Sequence, residues 1–129
     1  MISKIVVRRA LRRTWKQDYK PGQTLADVAK GQDSLVSKMI YDIFGGEILK
    51  THFEKGWHFY NRINGERLDF AGIDTGVSIN GNKFEDIPST PAETSDYFDR
   101  ADYLTFFMRF VKSFEEAVGL KESRSRIYN

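Results

Sequence analysis

The stretch "NRINGERLDF", residues 61–70, constrains the fold more tightly than any other part of the chain. Asn64 and Gly65 both tolerate the positive φ that a two-residue type I′ turn requires. They predict a hairpin between strands over 57–63 and 66–71. A two-residue loop also sets the register. Ile63 is placed opposite Glu66, Arg62 opposite Arg67, Asn61 opposite Leu68, Tyr60 opposite Asp69 and Phe59 opposite Phe70. Opposed residues share a sheet face, and faces alternate along each strand. His58, Tyr60 and Asp69 therefore fall on one face, with His58 and Asp69 as diagonal neighbours. A further strand is expected over 47–53.

Helical periodicity accounts for most of the rest. Across "GQDSLVSKMIYDIF", residues 31–44, a helix is expected whose first turn begins at Gly31-Gln32-Asp33-Ser34: Leu35, Val36, Met39, Ile40, Ile43 and Phe44 recur at i, i+3, i+4 spacing, with Asp33 or Ser34 as the N-cap and Gly45-Gly46 as the stop. The stripe is wide, so this helix is expected to lie centrally. Over 2–18, Ile2, Ile5, Val6, Ala10, Leu11 and Trp15 form one face of an amphipathic helix that arginines otherwise cover. Residues 19–32 read as a loop with one short turn. A last helix over 99–118 buries Leu104, Phe107, Met108, Val111, Phe114 and Val118, and Gly119 is expected to end it. The segment 72–98 is rich in turn formers, with room for a short strand at 76–79 or 83–87. The tail over 120–129 reads as polar and loose. The expectation is one α+β domain over 1–129: N-terminal helices on a small antiparallel sheet, then a C-terminal helix.

Composition excludes several classes of function. The chain contains no cysteine, which removes disulfides, thiolate metal sites and cysteine catalysis. Lysine plus arginine number 20 against 18 acidic residues, a net charge of +2, which argues against a general polyanion-binding role and disfavours nucleic acid as a partner. No apolar run is long enough to cross a bilayer, so no membrane role is expected. The N-terminus "MISKIVVRRALRR" has no continuous apolar core of the kind a secretory signal needs. A cytoplasmic protein is expected.

Trp15, "AKGQD", "FGGEILKT" and "WHFYNRINGERLDF", taken in that order, resemble the YunG-like family of small bacterial proteins. The likeness runs from Trp15 to Phe70 and continues more faintly into the last helix. It implies a compact fold of papain-like or NlpC-like character, in which a cysteine at a helix N-terminus faces a sheet carrying a histidine and an acidic partner. The family cysteine aligns with Asp33, whereas His58 and Asp69 are retained. After "LDF", where relatives tend to carry Thr and then "QF", this chain has Ala71 and "GIDTG".

A cysteine at a helix N-terminus is a stabilised thiolate, the facing histidine carries its proton, and the acid orients the histidine. Asp33 gains from the same helix dipole but is a poor nucleophile toward amides, and its charge favours imidazolium at His58. Asp33 also reads as a plain N-cap, and His58 with Asp69 as a structural hydrogen-bonded pair. By ligand type Asp33, His58 and Asp69 could hold a metal ion, but no ligand-spacing motif supports it, and no metal or cofactor is expected. Ser34 as a shifted nucleophile is disfavoured, because one residue turns a helical side chain by about a quarter-turn.

Gln32, Trp57, Tyr60 and Asn61 are the expected lining of a cleft at these positions, although Trp57 and Tyr60 equally suit ordinary sheet packing. Gly45-Gly46 lacks the Lys-Ser/Thr of a phosphate loop. The expected function is a catalytically silent protein that binds a small molecule or protein through a degenerate cleft. A hydrolase using Asp33, His58 and Asp69 as acid–base groups, with or without a metal, is the alternative from the enzyme class. Partner or nucleic-acid binding through "RRALRR" is the other, against the reading of that run as a solvated helix face.

Overall fold

The structure is a computed structural model that describes residues 3–18, 20–75 and 84–128; within its helices the side chains of residues 26, 73–75 and 120–128 are not described. Helices α1 (Lys4–Lys16), α2 (Leu25–Ala29) and α3 (Asp33–Phe44) lead into β1 (Glu47–Phe53), β2 (Gly56–Ile63) and β3 (Glu66–Leu68). Then come α4 (Phe70–Thr75), β4 (Ile87–Pro88), α5 (Pro91–Thr94), a 3-10 turn at Ser95–Tyr97 and α6 (Arg100–Tyr128). The fold is α+β, with a four-stranded antiparallel sheet in the order β3-β2-β1-β4.

The hairpin register follows from its turn. Asn64 and Gly65 have φ of 51° and 78°, and Asn61 pairs with Leu68, Arg62 with Arg67 and Ile63 with Glu66. The third strand is shorter than expected, however. It stops at Leu68, so Tyr60–Asp69 and Phe59–Phe70 are not paired. The cause is Asp69, whose Oδ1 accepts the Gly72 backbone N–H at 3.0 Å and so caps α4 instead of extending the strand.

Helix α3 lies against β2 and fills the centre of the core with Leu35, Val36, Met39 and Ile40. Its last turn is more open than the periodicity implies. Ile43 is 36% exposed, and Phe44 only flanks the cluster. The stop falls at Gly45-Gly46 as expected. At Gly46 a positive φ of 82° combines with a close approach, because a Cβ there would lie 2.6 Å from the Arg62 carbonyl oxygen.

Three helical expectations are corrected. In α1 the buried face is Val6, Val7, Ala10, Leu11, Thr14 and Trp15; Ile5 is 70% exposed, and Ile2 lies outside the described residues. In α6 the buried stripe is Tyr103, Phe106, Phe110, Ser113 and Ala117, whereas Leu104 and Met108 face outward, 48% and 72% exposed. The aromatic rings set this phase: Phe106 packs on Trp15, and Tyr103 on Phe98 and Phe107. Gly119 does not end α6, which continues to Tyr128 and takes in most of the expected tail; Gly119 keeps a negative φ, so no left-handed stop forms. The loop over 19–32 contains α2, the expected strand at 76–79 lies outside the described residues, and β4 begins at Ile87.

Candidate functional site

His58 stands on β2, 3% exposed, with a carboxylate facing each ring nitrogen. Its Nε2 lies 2.9 and 2.8 Å from the two oxygens of Asp69. Its Nδ1 lies 3.7 Å from Asp33 Oδ2, an ion-pair distance. The cap that ends β3 places Asp69: the same carboxylate holds α4 and the imidazole.

Asp33 is placed by the same truncation. Among the described residues no strand pairs with Phe59 on the β3 side of β2, and Asp33 Oδ2 accepts the Phe59 N–H at 2.8 Å. Asp33 is therefore not the N-cap of its helix. It is the first helical residue, and Gln32 holds the cap position without a side-chain cap bond. Gln32 Oε1 instead accepts the Trp15 Nε1–H at 2.9 Å, which ties α1 to the start of α3.

Burial opposes a charge on His58, but the hydrogen bond and charge of Asp69, together with the charge of Asp33, outweigh it and raise the pKa above that of free histidine. Burial raises the Asp33 pKa as well; the Phe59 N–H and His58 pull it back without cancelling the effect. His58 and Asp33 interact at close range, so their titrations are linked.

This arrangement favours a protonated imidazole held between carboxylates. The group that faces His58 Nδ1 is a carboxylate. The neighbouring hydroxyl, Ser34 Oγ, is buried without a hydrogen-bond partner and so is not activated by His58. Asp33 and Asp69 sit at different ring nitrogens of His58 and cannot share one ion with it. Among the described residues no group of three or more His, Asp or Glu is set to hold a metal.

The remaining expected site residues have other partners. Asn61 is buried and its Nδ2 donates to the Ser37 carbonyl at 2.9 Å, fastening β2 to α3. Trp57 faces away from His58, its ring tilted against that of His52 with centroids 4.0 Å apart and Lys50 Nζ 4.2 Å over it. Tyr60 shares the His58 face, but its hydroxyl donates to Asp86 Oδ1 and accepts the Asp86 N–H, both at 2.8 Å. Arg67 grips the same Asp86 through Nε at 3.0 Å and Nη2 at 2.5 Å. Burial and the Asp86 carboxylate raise the Tyr60 pKa. This Tyr60–Asp86–Arg67 lock carried no local signal, because its halves are far apart in the chain. The Asp69 cap did carry one, an Asp followed three residues later by Gly72 in "DFAG".

Gln32 borders open space. A cleft of about 520 Å³ lies beside it, lined also by Asp18, Lys30, Tyr97, Phe98 and Arg109, with Arg109 paired to Asp18 at 2.6 Å. Among the described residues no helix is long and apolar enough to cross a membrane.

Comparison with known proteins places these features in a family. The family model described as YunG protein matches residues 3–110. The chain is 33% identical over 87 residues to the uncharacterized protein YunG of Bacillus subtilis (strain 168), which covers 67% of this chain and 73% of that protein. No solved structure matches. With a family match over most of its length and a relative of this similarity, the chain belongs to the YunG family.

Proposed function

We propose that this YunG-family chain is a catalytically silent protein of papain-like arrangement that works by binding, and that Asp33 stands where a cysteine nucleophile would. The observation that carries the reading is His58 held between two carboxylates, with Asp33 Oδ2 already committed to the Phe59 N–H. In a working triad one imidazole nitrogen is oriented by an acid and the other faces a nucleophile whose proton it takes. Here Asp69 orients, but the facing group is a carboxylate with no thiol or hydroxyl proton to give. The raised pKa of His58 also favours its conjugate acid, the form that cannot act as a base.

Binding is assigned to the cleft beside Gln32. Its lining includes Lys30, Asp102 and the paired Arg109 and Asp18, next to the ring of Tyr97. Such a surface suits a small zwitterionic or peptide-like ligand.

The test is Asp33→Cys in a chain that otherwise contains no thiol, so labelling is unambiguous. A cysteine at the start of α3 beside His58 should be largely thiolate at neutral pH. It should react with iodoacetamide faster than a free thiol, and adding His58→Ala should slow it. An inert thiol at position 33 would remove the triad reading. Hydrolysis of an amide or ester by the wild-type chain that is lost in Asp33→Asn would replace the silent reading with the acid–base hydrolase.

A further inference from the structure

We propose that the outer face of α1 is a binding site for the phosphodiester backbone of a nucleic acid, separate from the His58 cluster and independent of the function assigned to it. Arg8, Arg9, Arg12, Arg13 and Lys16 line one shallow groove of about 400 Å³, together with Ile5. The opposite face of the helix, with Val7, Ala10, Leu11 and Thr14, is buried, so packing against the core fixes the row of cations outward.

The net charge of +2 conceals this asymmetry. Six of the chain's 20 basic residues lie in α1, which contains no acidic residue, so the other 116 positions carry 14 bases against 18 acids, a net of −4. Three of the five cations are not neutralised within the described residues. Arg13 faces Glu116 at 3.8 Å, and among the described residues no acidic side chain pairs with Arg8, Arg9 or Lys16. Arg8 is held with its guanidinium carbon 5.9 Å above the Phe70 ring, and its Nε is buried without a hydrogen-bond partner. Packing rather than solvent thus positions that head group.

The chemistry favours phosphodiester over other anions. Four of the five groove cations are arginines, whose planar guanidinium matches two phosphate oxygens at once. From residue 8 to residue 16 the row rises about 12 Å, which spans about three phosphates of one strand. A repeating polyanion releases counterions at every contact, whereas scattered surface carboxylates on a folded partner gain little from each exposed pair. A lipid surface would need an apolar face beside the cations, and Ile5 is the one exposed large apolar residue of the groove.

The experiment is fluorescence anisotropy of the full chain with labelled 20-nucleotide single-stranded DNA, RNA and duplex DNA, run beside poly-glutamate and vesicles of phosphatidylserine and phosphatidylcholine. Binding to nucleic acid is expected, with a salt slope near −2 to −3, so that raising salt from 50 to 200 mM weakens it about 20- to 60-fold. Arg9→Gln with Lys16→Gln should weaken binding at least about tenfold at 50 mM and flatten the slope by about two. Both side chains are outside the core, so the variant's thermal midpoint should match wild type, and loss of binding then reports the face itself. Full binding by the double variant, no binding at 50 mM salt, or tighter binding to poly-glutamate or vesicles would overturn the proposal.

Discussion

Gly72→Ala is the sharpest single test of how the His58 cluster is held. Gly72 sits in the first turn of α4 without a positive φ, where alanine would ordinarily stabilise a helix by about 1 kcal/mol. The structure predicts the opposite sign. A Cβ on Gly72 would lie 2.2 Å from Asp69 Oδ2 and 2.6 Å from its Cγ, so the carboxylate must move. It cannot move cheaply, because it holds His58 Nε2 through both oxygens and the Gly72 N–H through one. Losing the cap costs about 0.5–2 kcal/mol, and losing a charged hydrogen bond about 1.5–3. One carboxylate serves both, and part of each survives its rotation, so the net loss should be about 1–3 kcal/mol after the helix gain.

The pH dependence of that loss has a fixed sign. His58 has a raised folded pKa, so its contribution is complete below the unfolded value of about 6.5 and disappears as pH rises through the folded value. The gap between wild type and Gly72→Ala should be widest near the acid end of the pH 5.5–9 range and narrow toward the alkaline end. What remains there is the steric and capping part. Urea denaturation across that range measures the gap. NMR titration of the histidine ring protons should show His58 titrating lower in the variant than in wild type. A variant at least as stable as wild type, with His58 titrating unchanged, would refute the assigned role of Asp69.

Ile40→Ala should cost about 2–5 kcal/mol, because Ile40 is fully buried in the central cluster and its removal leaves a cavity; a loss under about 0.5 kcal/mol in urea would show that this stripe is not core. Asp33→Asn should be as stable as wild type or more so at pH 7, since burial penalises the ionised carboxylate and the amide oxygen can still accept the Phe59 N–H. As pH falls through the raised folded pKa of Asp33 toward its ordinary value, wild type should recover and the difference should shrink. A wild-type advantage that grows with rising pH would contradict this.

The chain alone determined the features that rest on local chemistry. Asn64-Gly65 specified its turn and register because positive φ at two successive positions is a property of those residues. The stripe from Leu35 to Ile40 and the stop at Gly45-Gly46 were likewise legible, as was His58 near Asp69. Features that depend on competition between distant segments were not. Strand and cap compete for Asp69, and the cap wins because α4 and the buried imidazole both use its carboxylate. Asp33 reads equally well as a cap or as a site residue, and only the unpaired edge of β2 at Phe59 gives its carboxylate a use. The phase of α6 could not come from periodicity, since Leu104 and Met108 repeat as well as Tyr103, Phe106 and Phe110 do. Which face turns inward was decided by the rings of Trp15 and Phe98 that meet it, and those contacts exist only once the helices are assembled.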